Sequence, residues 1–345
     1  MDSGLTDSKL SQNTTISRSS SVQGQNFSNL LHGQLAVDIE GFTLTEEDIE
    51  VLKHPRVSAL ILFSRNFKNI AQLKALTNSV HGVDSSLLIL IDQEGGAVQR
   101  FVGEDFPALP SLKSIGLIQD PKQAQQYART VGAQMAKSLL NVGVDLCLGP
   151  VLDCEPLTGT QTGDVLHERC FSHRSEQVME LAAAYIRGMS DAGMHAVGKH
   201  FPGHGGVAGD THYTTQVDQR SLDELMQRDI LPYVGLSHSL SGIMLSHVCF
   251  PKIDTLPCSL SSHWVQWIRD VLNFKGVIMT DCLSMAAISK IYPDPIDRIR
   301  LVFQSGGDLA LLCNDRAGVK RVLSQLSRVR HQPLHKKLSI LKSFA

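Results

Sequence analysis

Residues 197–213, VGKHFPGHGGVAGDTHY, gather three of the chain's fourteen histidines, five glycines and the pair Asp210 and His212. A carboxylate two residues before an imidazole can orient the ring through a hydrogen bond and stabilise its protonated form, which equips the pair to give and take a proton. A second stretch, GVIMTDCLSM, sets Asp281 directly after an apolar run, where an ionised carboxylate is a candidate nucleophile. In a third, IDQEGGAVQRF, Asp92 meets a Gly95-Gly96 turn that allows close backbone approach and brings Arg100 back. Two other chemistries compete for the histidine stretch. His195, His200, His204 and His212 lack the spacing of a zinc helix motif, and Lys199 would set a cation beside His200, so no metal is expected. A phosphate loop is excluded by the absence of GKS or GKT.

Positioning these groups falls to eight apolar runs: 35–39, 58–65, 86–93, 145–153, 195–201, 242–248, 276–281 and 309–314. Each is nearly continuous in Val, Ile and Leu, as expected of strands covered on both faces. Amphipathic segments lie between them. Residues 121–142 and 175–192 read as helices stopping at Gly143 and Gly193, and SLDE at 221–224 has the capping-box pattern, with TEED at 45–48 a looser version. Eight strand-plus-helix units predict an α/β fold, a single-domain (β/α)8 TIM barrel. A doubly wound open sheet is the rival, but LAVDIEGFTL carries one glycine where such folds have a glycine-rich turn.

In a parallel barrel the carboxyl ends of the strands form the functional face. The eight runs end in Asp38, Arg65, Asp92, Asp153, Lys199 with His200, His247, Asp281 and Asn314. Taken singly, Asp38 and Asp153 are read as acceptors for backbone amides, Asn314 as the cap of the next helix and His247 as a partnered core histidine. Taken together, they predict a polar cup of mixed donors and acceptors, suited to a polyhydroxylated ligand such as a sugar.

Composition agrees with a small ligand. The formal net charge of −2 over 345 residues leaves no electrostatic footprint for nucleic acid or an anionic membrane. Seven cysteines without CxxC spacing read as reduced thiols of a cytosolic protein. Residues 1–32, rich in Ser, Asn and Gln, are expected to form a flexible extension, with 33–345 as the catalytic domain. They hold no apolar stretch long enough for a signal peptide or membrane span. The basic tail VRHQPLHKKLSILKSF is expected to end in a helix packed on the barrel.

Four stretches in this order, IDQEGGAVQRF, GVDLCLGPVLD, KHFPGHGGVAGDTH and FKGVIMTDCLSM, resemble the β-N-acetylglucosaminidases of glycoside hydrolase family 3, cytoplasmic enzymes of bacterial cell-wall recycling. The resemblance spans about Gly33 to Asn314. It implies Asp281 as the nucleophile forming a glycosyl-enzyme, His212 as general acid/base on a mobile loop, and Asp210 as its acidic partner. It implies Asp92, Arg100, Arg169, Lys199 and His200 as the residues gripping the sugar. The substrate implied is N-acetylglucosaminyl-1,6-anhydro-N-acetylmuramic acid, with or without its peptide. It is cleaved without a cofactor by a monomeric enzyme, with configuration retained.

On this reading Gly203, Gly205, Gly206 and Gly209 are hinges of a closing loop. Ala97, Cys170 and Cys282 depart from the family pattern of arginine, serine and aspartate, and Cys282 beside Asp281 suggests sensitivity to thiol reagents. Phosphate stays open beside water as the second acceptor. Two rivals remain: a family-3 β-glucosidase, which carries further domains where this chain ends at Ala345, and a sugar-binding barrel that has lost catalysis.

Overall fold

The computed structural model describes residues 33–104, 106–156, 166–207 and 209–342; the segment expected to be a flexible extension lies outside them. Eight parallel strands form one sheet: β1 (Gln34–Val37), β2 (Val57–Leu62), β3 (Leu88–Ile91), β4 (Leu146–Cys147), β5 (Val197–Phe201), β6 (Gly242–Leu245), β7 (Val277–Thr280) and β8 (Leu309–Leu311). Each falls inside one of the eight predicted runs, apart from the first residue of β1 and of β2. Every strand residue is buried, because the barrel interior covers one face and the helices the other.

Strand β1 pairs with β2 and with β8, so the sequence ends of the sheet meet. At the other seam the backbone running on from β4 reaches β5: Val197 donates to the Gly149 carbonyl at 2.9 Å, Leu152 donates to the Lys199 carbonyl at 2.7 Å, and Val151 bridges Lys199 in parallel. The ring is therefore closed, as a (β/α)8 barrel requires and an open doubly wound sheet does not.

The helix Pro121–Leu140 starts with Pro at its first turn under an Asp120 cap, and Gly143 follows with φ of 79°. The helix Ser175–Asp191 ends before Gly193, with φ of 91°. These two helices lie unusually close. A Cβ on Gly132 would strike the Tyr185 carbonyl, and one on Gly188 would strike the Arg129 carbonyl. Both capping boxes form, Ser221 with Glu224 and Thr45 with Asp48. The tail supplies a helix, Gln332–Leu338, whose Leu334 and Leu338 are buried and whose Lys337 pairs with Asp308 at 2.7 Å.

Strand β5 is anchored from outside by aromatic rings. Phe201 meets Tyr233 edge-on at 5.0 Å and Trp264 edge-on at 5.6 Å between centroids. Such contacts add about 0.5–1.5 kcal/mol each beyond burial, and they hold in register the strand that carries Lys199 and His200.

Candidate active site

All eight residues singled out from the sequence line one cavity of about 590 Å³ at the carboxyl end of the barrel: Asp92, Arg100, Arg169, Lys199, His200, Asp210, His212 and Asp281.

Asp281 follows β7 immediately, and its own amide bonds the Leu245 carbonyl at 3.0 Å, so strand pairing fixes the backbone beneath it. The Cys282 amide donates to its Oδ1 at 2.7 Å. Enclosure alone would raise the carboxyl's pKa. The charges of His200, His247 and His212, together with that amide, outweigh enclosure and hold it well below the usual carboxylate range. Asp281 is thus an anion at any physiological pH.

His212 faces it from the loop after β5. Its Nδ1 lies 2.7 Å from Asp210 Oδ1, and its amide donates to the same oxygen at 2.8 Å, so one carboxylate sets both ring and backbone. The loop is joined to the segment that follows Asp281: Ala287 donates to the Thr211 carbonyl at 3.1 Å and Ala286 to the His212 carbonyl at 3.3 Å. Lys290 Nζ adds a bond to the Tyr213 carbonyl at 3.0 Å.

Opposite lies a buried ionic network. Lys199 Nζ sits 2.7 Å from Asp92 and 2.6 Å from Glu94, and Glu94 grips Arg169 with two oxygens at 2.8 and 2.9 Å. Burial would push Glu94 up, but Arg169 and Lys199 hold it well below its usual value. Burial would likewise depress Lys199, yet Asp92 and Glu94 hold it above. Glu94, Arg169 and Lys199 stay charged as a set. Arg100 reaches Asp92 at 3.5 Å, delivered by the turn in which Gly95 and Gly96 have φ of 98° and 54°.

His200 turns its Nδ1 to Asp153 at 2.7 Å, and Asp153 also accepts from the His204 amide at 2.9 Å. Asp153 therefore bonds amides, as expected, and also orients a ring on the cavity wall. Asp38 accepts from the Asn314 amide at 3.0 Å and pairs with Arg65. His247 is partnered by Ser259 at 2.8 Å and the Cys282 carbonyl at 2.9 Å.

Two expectations require correction. Asn314 does not cap the helix Arg316–Gln325; Asp315 does, accepting from Gly318 at 2.9 Å, while Asn314 takes φ of 57° and lines the cavity. The loop glycines are also not a uniform set of hinges. Only Gly203, with φ of 137°, has a backbone that other residues rarely adopt. A Cβ on Gly205 would strike the Cys154 carbonyl and one on Gly206 the paired Asp218 and Arg220, so close approach accounts for those two, while one on Gly209 would meet only the movable end of the Gln216 side chain.

Sequence reasoning missed Glu94 and His204. Glu94 was legible: in extended backbone Asp92 and Glu94 share a face by the two-residue alternation. His204 stood in the histidine stretch but was weighed only as a metal ligand, and burial drives its pKa down to about 4. Three buried atoms of wall residues, Arg100 Nε, His204 Nε2 and Ser284 Oγ, make no hydrogen bond among the described residues. No three His, Cys, Asp or Glu side chains among the described residues converge in a metal-binding arrangement.

Residues 23–339 match the model of the glycosyl hydrolase family 3 N-terminal domain. The chain belongs to glycosyl hydrolase family 3. A β-hexosaminidase of Pseudomonas aeruginosa is 40% identical over 304 residues, 88% of this chain and 89% of its own, and one of Idiomarina loihiensis is 41% identical over 292 residues, 84% and 86%. A crystal structure of NagZ from Neisseria gonorrhoeae superposes with a TM-score of 0.82 at 36% identity, covering 92% of this chain and 91% of that one. The same gonococcal protein has been solved in complex with N-trifluoroacetyl-D-glucosamine, again with a TM-score of 0.82 at 36% identity and 92% of each chain covered. This family 3 chain is a glycoside hydrolase, and its relatives place it among the β-N-acetylhexosaminidases.

Proposed function

We propose that this family 3 enzyme removes a terminal, nonreducing β-linked N-acetylglucosamine from N-acetylglucosaminyl-1,6-anhydro-N-acetylmuramic acid and its peptides, by a retaining double displacement. Asp281 attacks the anomeric carbon as the glycosidic bond breaks, and protonated His212 gives its proton to the leaving oxygen. In the second step neutral His212 takes a proton from water, and the resulting attack on the anomeric carbon frees Asp281. Two inversions leave the configuration retained. Asp210 stabilises the imidazolium that donates in the first step and re-forms in the second. Asp92, Arg100, Arg169, Lys199 and His200 bind the sugar's hydroxyls and hold the anomeric carbon against Asp281.

One observation carries this reading: the carboxylate after β7 and the Asp210–His212 pair after β5 line a single cavity, on segments bonded to each other through Thr211 and Ala287. The naming of the gonococcal NagZ complex supports an N-acetylglucosamine-type sugar in this pocket. All seven cysteines are free thiols, which suits a reducing cytoplasm. No helix among the described residues is long and apolar enough to cross a membrane.

The test is hydrolysis of a chromogenic β-N-acetylglucosaminide by wild type, Asp281→Ala and His212→Ala, with the product anomer read by NMR. His212→Ala should lower kcat by about 10²–10⁴ and Asp281→Ala by at least as much. Intact turnover in either variant, or an inverted first product, overturns the assignment.

A further inference from the structure

Two thiols meet in the cavity wall beside the nucleophile. Cys282 follows Asp281 directly, Cys313 stands two residues after the end of β8, and both line the cavity. The Cys282 Sγ lies 3.9 Å from the Cys313 carbonyl, and each thiol shifts the proton affinity of the other. The remaining five cysteines stand elsewhere, outside the cavity wall.

The strands beneath explain the meeting. Strands β7 and β8 are hydrogen-bonded neighbours, Met279 opposite Leu309, and their pairing runs on past the strand ends through the Leu283 amide and the Leu311 carbonyl at 2.9 Å. Cys282 is partly exposed and Cys313 fully buried, so an oxidant entering the cavity reaches Cys282 first.

We propose that Cys282 and Cys313 form a peroxide-responsive dithiol that reversibly shuts down the sugar site. A hydroperoxide oxidises the Cys282 thiolate to a sulfenic acid, its O–O bond breaking and one oxygen leaving as hydroxide. The Cys313 thiol then attacks the Cys282 sulfur, forming the S–S bond and releasing water. In total two thiols and one hydrogen peroxide give one disulfide and two waters. The Cys313 side chain favours thiolate at Cys282, and with the Ser284 and Cys313 amides it outweighs burial to lower that thiol's pKa. The bond would draw Cys282 toward β8 and with it the amide that donates to Asp281 Oδ1 at 2.7 Å. A nucleophile whose hydrogen bond and aim are lost turns over slowly. A dithiol reductant restores it.

The inference rests on the glycosidase reading for its consequence, and the experiment separates the two. The purified full chain is treated with stoichiometric hydrogen peroxide, the free thiols are blocked, and one portion is digested for mass spectrometry while another is assayed with and without dithiothreitol. The expected result is a linked Cys282–Cys313 peptide, at least tenfold loss of kcat and recovery on reduction. Relative to their own untreated rates, Cys282→Ser should resist peroxide, and Cys313→Ser should form no link and keep most of its activity. The proposal is overturned if the linked peptide does not form, if it forms and the rate is unchanged, or if Cys282→Ser is inactivated as wild type is. Absence of turnover before oxidation strikes the glycosidase reading alone, because the link is detected by mass.

Discussion

Glu94 holds the Arg169 guanidinium with both carboxylate oxygens, at 2.8 and 2.9 Å, and the same carboxylate lies 2.6 Å from Lys199. One buried anion thus sets two cations on the cavity wall. Neither cation could stay charged and aimed there alone, since an unpaired buried charge costs several kcal/mol.

Glu94→Gln is therefore expected to act through the residues it positions. KM for a β-N-acetylglucosaminide should rise about tenfold or more, in line with about 1.4 kcal/mol per decade of binding lost. Tm should fall as well, because two buried cations lose a counter-charge. Steady-state kinetics and a thermal melt check both; unchanged KM would remove Glu94 from the positioning network.

The contact between Pro121–Leu140 and Ser175–Asp191 depends on Gly132 and Gly188, each facing a carbonyl of the other helix. Gly188→Ala removes a residue of poor helix propensity, which by itself would stabilise the helix by about 1 kcal/mol. The inserted methyl instead forces the helices apart, and overpacking costs about 1–3 kcal/mol. Net destabilisation is expected, measured as a lower midpoint of urea unfolding. A higher midpoint would mean that propensity outweighs the contact.

Acid should destabilise the fold in a defined window. Burial lowers the pKa of His54 to about 4, with Arg328 and Arg56 adding to the effect, and burial also brings His204 to about 4. An unfolded histidine titrates near 6.5, so between about pH 6.5 and 4 the unfolded chain binds protons that the folded one does not. Stability then falls as pH falls through that window. Glu94, Asp153 and Asp281, all depressed, extend the loss to lower pH. His54→Asn, whose side-chain oxygen can still accept from the Arg56 amide, should show a shallower fall in Tm between pH 6.5 and 4. An identical slope in both proteins would exclude His54 as a contributor.

Exhaustive dialysis against EDTA should leave hydrolysis of the chromogenic substrate unchanged, because the proton donor and nucleophile proposed here are protein groups. Loss of activity restored by a divalent cation would require a different mechanism.

Much of the barrel was legible in advance because its strands are buried on both faces. Such strands must be apolar throughout, and the eight runs stand out without knowledge of their partners. The carboxyl ends were legible for the same reason. Asp92, Lys199, His200 and Asp281 are polar interruptions of runs that otherwise exclude polarity. Glu94 was overlooked beside Asp92, although the alternation of extended backbone puts both on one face. His204 was visible in the histidine stretch, but its burial was not, because that comes from elements far away in sequence.

By itself the sequence determined the period and number of the elements, the helix stops at Gly143 and Gly193, the capping boxes, and the family through its chemical motifs. These are local properties, set by hydrophobic periodicity and by backbone conformations that particular residues permit. Closure was decided only in three dimensions. The seam from Gly149 to Lys199, the Glu94–Arg169–Lys199 network, the docking of Thr211 on Ala287 and the pairing of Cys282 with Cys313 join residues that are 30 or more positions apart in nearly every case. The loop glycines show the same division. Their freedom could be read from residue type, but that Gly205 and Gly206 serve close approach depends on which atoms the fold brings alongside, and no local pattern encodes that.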